Sequence, residues 1–78
     1  MQIDLLDTFL DLAETRSFHR TAERLRITQS TVSARVTALE QAVGSRLFDR
    51  SRAGTDLTPE GKRFEPHARA LRHEWNEA

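Results

Sequence analysis

A chain of 78 residues without cysteine makes one small domain held by its core alone, which excludes disulfides and thiolate metal sites. No apolar run approaches the roughly 20 residues that cross a bilayer, and MQIDLLDTFLDLAE puts acids where a signal peptide needs positive charge, so the expected location is the cytoplasm. The formal charge of zero conceals an asymmetry: residues 1–15 carry four acids and no base, residues 16–52 eight arginines against three acids, and residues 53–78 a net −1.

Taken in chain order, Ile3, Leu6, Leu10 and Ala13 form one stripe, widened by Leu5, Phe9 and Leu12. That spacing predicts a first helix over 3–14 with a broad buried face. Ser17 suits an N-cap, and Phe18–Leu25 follows as a short helix with Phe18, Ala22 and Leu25 inward. Arg26-Ile27 makes a tight turn that returns Ile27 to the core. Thr28 caps a third helix running to about Val43, and Gly44 is the candidate C-cap. Two short strands are expected at 47–50 and 56–58, joined by residues 51–55 with Gly54 supplying the turn. Thr58-Pro59-Glu60 reads as N-cap, proline at the first helical position and acid in the first turn. The last helix then runs to the end of the chain, bent or delayed by Pro66. The fold class is mainly α. A winged helix-turn-helix, three helices plus a β-hairpin wing, occupies residues 1–58, and a linker or dimerisation helix occupies 59–78.

The third helix carries the functional signal. Val32, Val36, Leu39 and Val43 fall within about 60° of one another at helical spacing. Ser30, Ala34, Thr37 and Gln41 lie opposite, flanked by Thr31, Ser33 and Arg35, and Glu40 is the one nearby carboxylate. Serine and threonine are poor helix formers because they compete with the backbone for hydrogen bonds. A merely solvated face would use Lys and Glu. A slim, acid-free, hydroxyl-rich face instead suits the major groove, which admits one α-helix. The basic middle segment faces either such a polyanion or water. Eleven of the twelve bases are arginine, which suits planar contacts with phosphate and guanine.

The ordered elements SF at 17–18, AERL at 22–25, TQSTVS at 28–33, LE at 39–40, G-x-x-LF-x-R at 44–50 and LTPEG at 57–61 span most of the chain. Together they resemble the N-terminal DNA-binding domain of the LysR-type transcriptional regulators. The resemblance implies double-stranded DNA with a pseudo-palindromic operator as partner, and a homodimer formed through the final helix, with tetramers in full-length proteins. It also implies a two-lobed effector domain for a small metabolite, which this chain does not contain. No cofactor is implied.

By the same resemblance, Gln29, Ser30, Thr31 and Ser33 read bases from the start of the recognition helix, about residues 29–43. Gln can pair with adenine, and the Thr31 methyl can meet a thymine methyl. The family's common arginine after the serine is Ala34 here, which leaves the adjacent Arg35 to a base or a phosphate. Thr28 and Gln29 also suit capping. Arg50 at the base of the hairpin is expected on a phosphate, with an ion pair to Asp49 or Glu40 as the alternative. Arg52 at the wing tip is expected on the backbone or minor groove, or else in solvent. Arg20, Arg24 and Arg26 are further backbone candidates; such contacts position a domain without reading sequence.

Phe64, Ala68, Leu71 and Trp75 recur at spacings of four, three and four, a stripe expected to bury against a two-fold partner. An enzyme is disfavoured, since there is no glycine-rich phosphate loop, HExxH or nucleophile elbow. His67 and His73 are six apart and so lie off one helical face, which makes them poor joint metal ligands. The other rival is a winged helix used only to bind proteins, which the final helix would suit and the acid-free face would not.

Overall fold

The computed structural model describes residues 3–51 and 54–77, with side chains as far as Glu74. The order is α1 (Ile3–Thr15), α2 (Phe18–Leu25), α3 (Gln29–Val43), β1 (Phe48–Ser51), β2 (Gly54–Leu57) and α4 (Pro59–Glu77). Helices α1, α2 and α3 pack mutually, α4 lies on α1, and the two strands form an antiparallel hairpin beside them. This is the winged helix-turn-helix expected from the sequence pattern.

The core is built on Leu6, Phe9 and Leu12 of α1, Val32, Val36 and Leu39 of α3, Leu47 and Phe48 before and in the wing, and Ala68 of α4. Phe9 sits at its centre, 1% exposed. Its ring lies 5.4 Å from that of Phe48 and 5.2 Å, edge-on, from that of Phe64. The periodicity of α1 made Phe9 and Leu12 flanks of a stripe through Leu10 and Ala13. The fold reverses that ranking, because α1 is covered on one side by α3 and on another by α4, while Leu10 and Ala13 fall at the margin. Two buried threonines are satisfied locally. Thr8 Oγ1 donates to the Asp4 carbonyl, and the Thr15 and Thr21 hydroxyls bond to each other at 2.7 Å.

The helix ends follow capping chemistry. Ser17 Oγ accepts from the Arg20 N–H and Thr28 Oγ1 from the Thr31 N–H. Gly44 adopts φ 83°, and its N–H returns to the Glu40 carbonyl. At the turn between α2 and α3 the left-handed position falls on Arg26, φ 58°. A side chain there costs roughly 1 kcal/mol. Arg26→Gly is therefore expected to stabilise the fold by about 0.5–1 kcal/mol, read as a rise in the thermal midpoint. A fall in that midpoint would show that the Arg26 side chain contributes more than the strain it carries.

The hairpin is longer and tighter than the spacing suggested. Phe48 pairs with Leu57, Asp49 with Asp56, Arg50 with Thr55 and Ser51 with Gly54. Leu47 was expected to start β1 but is a core residue ahead of it, and Thr58 was expected in β2 but leaves the strand to cap α4. The Thr58 hydroxyl donates to the Arg46 carbonyl at 2.6 Å and accepts from the Gly61 N–H at 2.9 Å, while the Thr58 N–H donates to the Leu47 carbonyl. This one residue thus ends the wing, starts α4 and ties both to the strand approach. Pro66 does not delay the helix, which is continuous from Pro59.

Candidate nucleic-acid interface

The outer side of α3 is a shallow open trough lined by Ser30, Ser33, Ala34, Thr37, Ala38 and Gln41. All six are small or uncharged, so a partner meets no carboxylate there. Val32, Val36 and Leu39 on the opposite side are buried, which fixes the rotation of the helix and so the direction of this face. Among the described residues, the hydroxyls of Ser30, Ser33 and Thr37 make no hydrogen bond. They remain available to a ligand.

The neighbouring candidates are more committed. The Thr31 hydroxyl bonds to that of Thr28 at 2.9 Å, so both serve the cap. Gln29 Nε2 donates to His19 Nδ1 at 3.3 Å, and His19 Nε2 lies 3.4 Å from Glu23 Oε1. Arg35 points away from the trough. Its guanidinium donates to Thr8 Oγ1 of α1 at 3.3 Å, because its wheel position faces the α1 seam once the valines are buried.

The arginines also separate. Arg24 Nε donates to Asp11 Oδ1 at 2.8 Å, and that hydrogen bond, with the attraction of the same carboxylate, raises the guanidinium pKa. Arg24 therefore braces α2 on α1 and does not stand free as a backbone contact. Arg20 and Arg26 are exposed. Arg52 lies outside the described residues. Arg50 pairs with neither Asp49 nor Glu40: its guanidinium carbon sits 3.6 Å from the centroid of the Phe18 ring. It lines a cleft with Phe18, Ser33, Thr37, Glu40 and Arg46, which puts the wing cation on the same side of the molecule as the α3 hydroxyls.

Glu40 has a role that the sequence pattern did not assign. Its Oε2 accepts from the Leu47 N–H at 2.8 Å and weakly from that of Phe48 at 3.4 Å. Such charge-assisted bonds are about twice as strong as neutral ones. They hang the start of the wing from the end of α3. The signal in the sequence was a lone carboxylate beside an apolar stripe on an otherwise acid-free helix.

On α4 the expected partner-facing stripe divides. Ala68 is 0% exposed and Phe64 is half-buried against Phe9, so both pack into the subunit's own core. The spacing alone could not reveal that α1 lies against this helix. Arg72 and Asp7 pair across the same seam. Leu71 stands 43% exposed. The Trp75 side chain lies outside the described residues.

Residues 3–62 match the family model of the bacterial regulatory helix-turn-helix proteins, lysR family. The HTH-type transcriptional regulator HdfR of Yersinia pestis is 47% identical over 75 residues, which is 96% of this chain and 26% of that protein. The chain thus spans about a quarter of the length of the curated relatives it matches. Among solved structures, Vibrio fischeri DarR in complex with DNA is similar at a TM-score of 0.94 and 36% identity, covering 99% of this chain and 26% of that one. The DNA-binding domain of BenM, bound to catB site 1 DNA, matches at 0.90 and 30% identity, covering 99% of this chain and 86% of that one.

Proposed function

Because the chain belongs to the LysR family of bacterial regulatory helix-turn-helix proteins, we propose that it binds double-stranded DNA sequence-specifically as the N-terminal part of a transcription regulator. The observation that carries this function is the exposed, acid-free trough on α3 with unengaged Ser30, Ser33 and Thr37 hydroxyls. Recognition helix 29–43 enters the major groove, where serine and threonine accept or donate to base edges. Gln29 and the Thr31 methyl contribute at its start. Arg50 meets a backbone phosphate, and the wing, Arg52 included, follows the backbone or minor groove. Relatives seen with DNA, DarR and BenM, support the assignment. The working location is the bacterial cytoplasm; no helix among the described residues is long and apolar enough to cross a membrane. Effector sensing belongs to the further domain that the family resemblance implies, and the present chain needs no cofactor to bind DNA.

Selection of bound sequences from random duplex DNA, followed by a salt titration, tests this function. A pseudo-palindromic site and a steep loss of affinity with salt are expected, since each neutralised phosphate releases counterions. No binding to any duplex at low salt would leave only a protein-interaction role. Arg50→Ala should weaken selected and mixed-sequence DNA about equally and lower the salt slope by about 1. A loss confined to one base pair would contradict the phosphate role.

A homodimer completes the proposal. Among the described residues Leu71 is the exposed large apolar side chain on α4, beside Arg72, which pairs with Asp7 of α1. A two-fold partner along this end would place two recognition helices on successive major grooves, about 34 Å apart or more. Leu71→Glu should shift the mass in light scattering from dimer to monomer. An unchanged dimer mass would place the interface elsewhere.

A further inference from the structure

We infer that Phe18 is a positioning residue for DNA binding, its ring holding the Arg50 guanidinium ready for a phosphate without neutralising it. This rests on the DNA-binding function proposed above and adds a residue that touches no DNA. Phe18 is the first residue of α2, and Arg50 is the third of β1, so the contact joins the helix-turn-helix to the wing.

The electrostatic layout around Arg50 carries the inference. Its guanidinium lies over the ring at 3.6 Å. A ring face attracts the cation through its quadrupole and takes none of its five N–H donors. A carboxylate partner would do the opposite, occupying two donors and competing with a phosphate for the same fork. The acid beside it on β1, the acid in its cleft and the acid across the hairpin are all engaged elsewhere, the last, Asp56, with Arg16 at 3.3 Å. Asp49 lies 3.7 Å from Arg46, and Glu40 accepts the backbone N–H groups of Leu47 and Phe48. Arg50 is thus held but not charge-paired. A long side chain free in water would lose its rotamer freedom on meeting DNA. One already resting on Phe18 loses less, and preorganisation of this kind appears as affinity. The guanidinium also stays beside Ser33 and Thr37 in the cleft it shares with them, so phosphate grip and base reading keep one register.

The test is a double-mutant cycle on a labelled mixed-sequence duplex at low salt, read by fluorescence anisotropy. Phe18→Leu keeps bulk and removes the ring face. It should weaken binding by about three- to tenfold in the wild-type background, the size expected for a lost cation–π contact. It should have no further effect in Arg50→Ala, and Phe18→Tyr should bind like wild type. A penalty of the same size in both backgrounds, or none in either, would overturn the inference. So would a Phe18→Tyr as weak as Phe18→Leu. Should Phe18→Leu lose its fold, the wild-type chain still decides. Ring-current displacement of the Arg50 side-chain protons supports the contact, and random-coil positions overturn it. Failure of the wild type to bind any duplex would sink the DNA-binding function itself, whereas a binding wild type with an additive cycle would sink only the role of Phe18.

Discussion

Ser33→Glu is expected to abolish specific DNA binding and to leave the helix content unchanged. The helix survives because glutamate is a better helix former than serine, and Ser33 lies at the margin of the trough with its side chain only partly covered. The binding fails for two physical reasons. A carboxylate on this face meets phosphates and the acceptor-rich edges of the major groove. It also stands in the cleft that Ser33 shares with Arg50 and offers that guanidinium an internal ion pair. Losing a hydroxyl contact and one phosphate contact together should cost on the order of 100-fold or more. Mixed-sequence binding should weaken as well, though less. Gel shifts on a selected site measure the affinity, and circular dichroism measures the helix. Retained operator affinity in a normally helical variant would mean that α3 does not present this side to DNA.

Gly61→Ala is expected to be the most damaging conservative change in the fold. In an ordinary helix this substitution is favourable by about 1 kcal/mol, because alanine has the higher helix propensity. Here the added Cβ would lie 2.2 Å from the Leu47 carbonyl oxygen and 2.9 Å from Leu57 Cδ2. The first obstacle is backbone, and it is not free to retreat, since the same carbonyl accepts the Thr58 N–H at 2.9 Å. The Thr58 hydroxyl fastens the adjacent Arg46 carbonyl. Relief of the overlap must push α4 off the wing or break the cap. The clash outweighs the propensity gain, and a net loss of about 2–4 kcal/mol follows. For a domain of this size that is a fall of roughly 10–25 °C in thermal midpoint. A midpoint within a few degrees of wild type would show that the approach of α4 to residues 46–47 is looser than these distances.

Much of the molecule was legible from residue patterns, for specific reasons. Caps announce themselves through short-range chemistry, so Ser17, Thr28, Gly44 and Thr58-Pro59 marked the ends of the helices to within a residue or so. The trough on α3 followed from the rotation that Val32, Val36 and Leu39 impose. What failed was the assignment of flanking side chains. Arg35 and Arg24 read as free cations, yet each has a partner on α1, Thr8 and Asp11, separated from it by 27 and 13 residues. Phe64 and Ala68 read as a surface stripe because nothing in their own helix reports that α1 lies across it.

By itself the sequence determined the local and periodic features: four helices and a hairpin, the buried side of α3, and a hydroxyl-lined face kept clear of carboxylate. Those depend on residue type at spacings of one to four, where a helix brings side chains together by geometry alone. Only the tertiary structure decided which polar groups remain available. It paired Arg24 with Asp11 at the surface, turned Arg35 toward Thr8, took Phe64 and Ala68 into the core, spent Glu40 on the wing backbone, and set Arg50 on Phe18. These outcomes hinge on contacts between segments far apart in the chain, whose distances depend on how the helices pack and not on any local pattern.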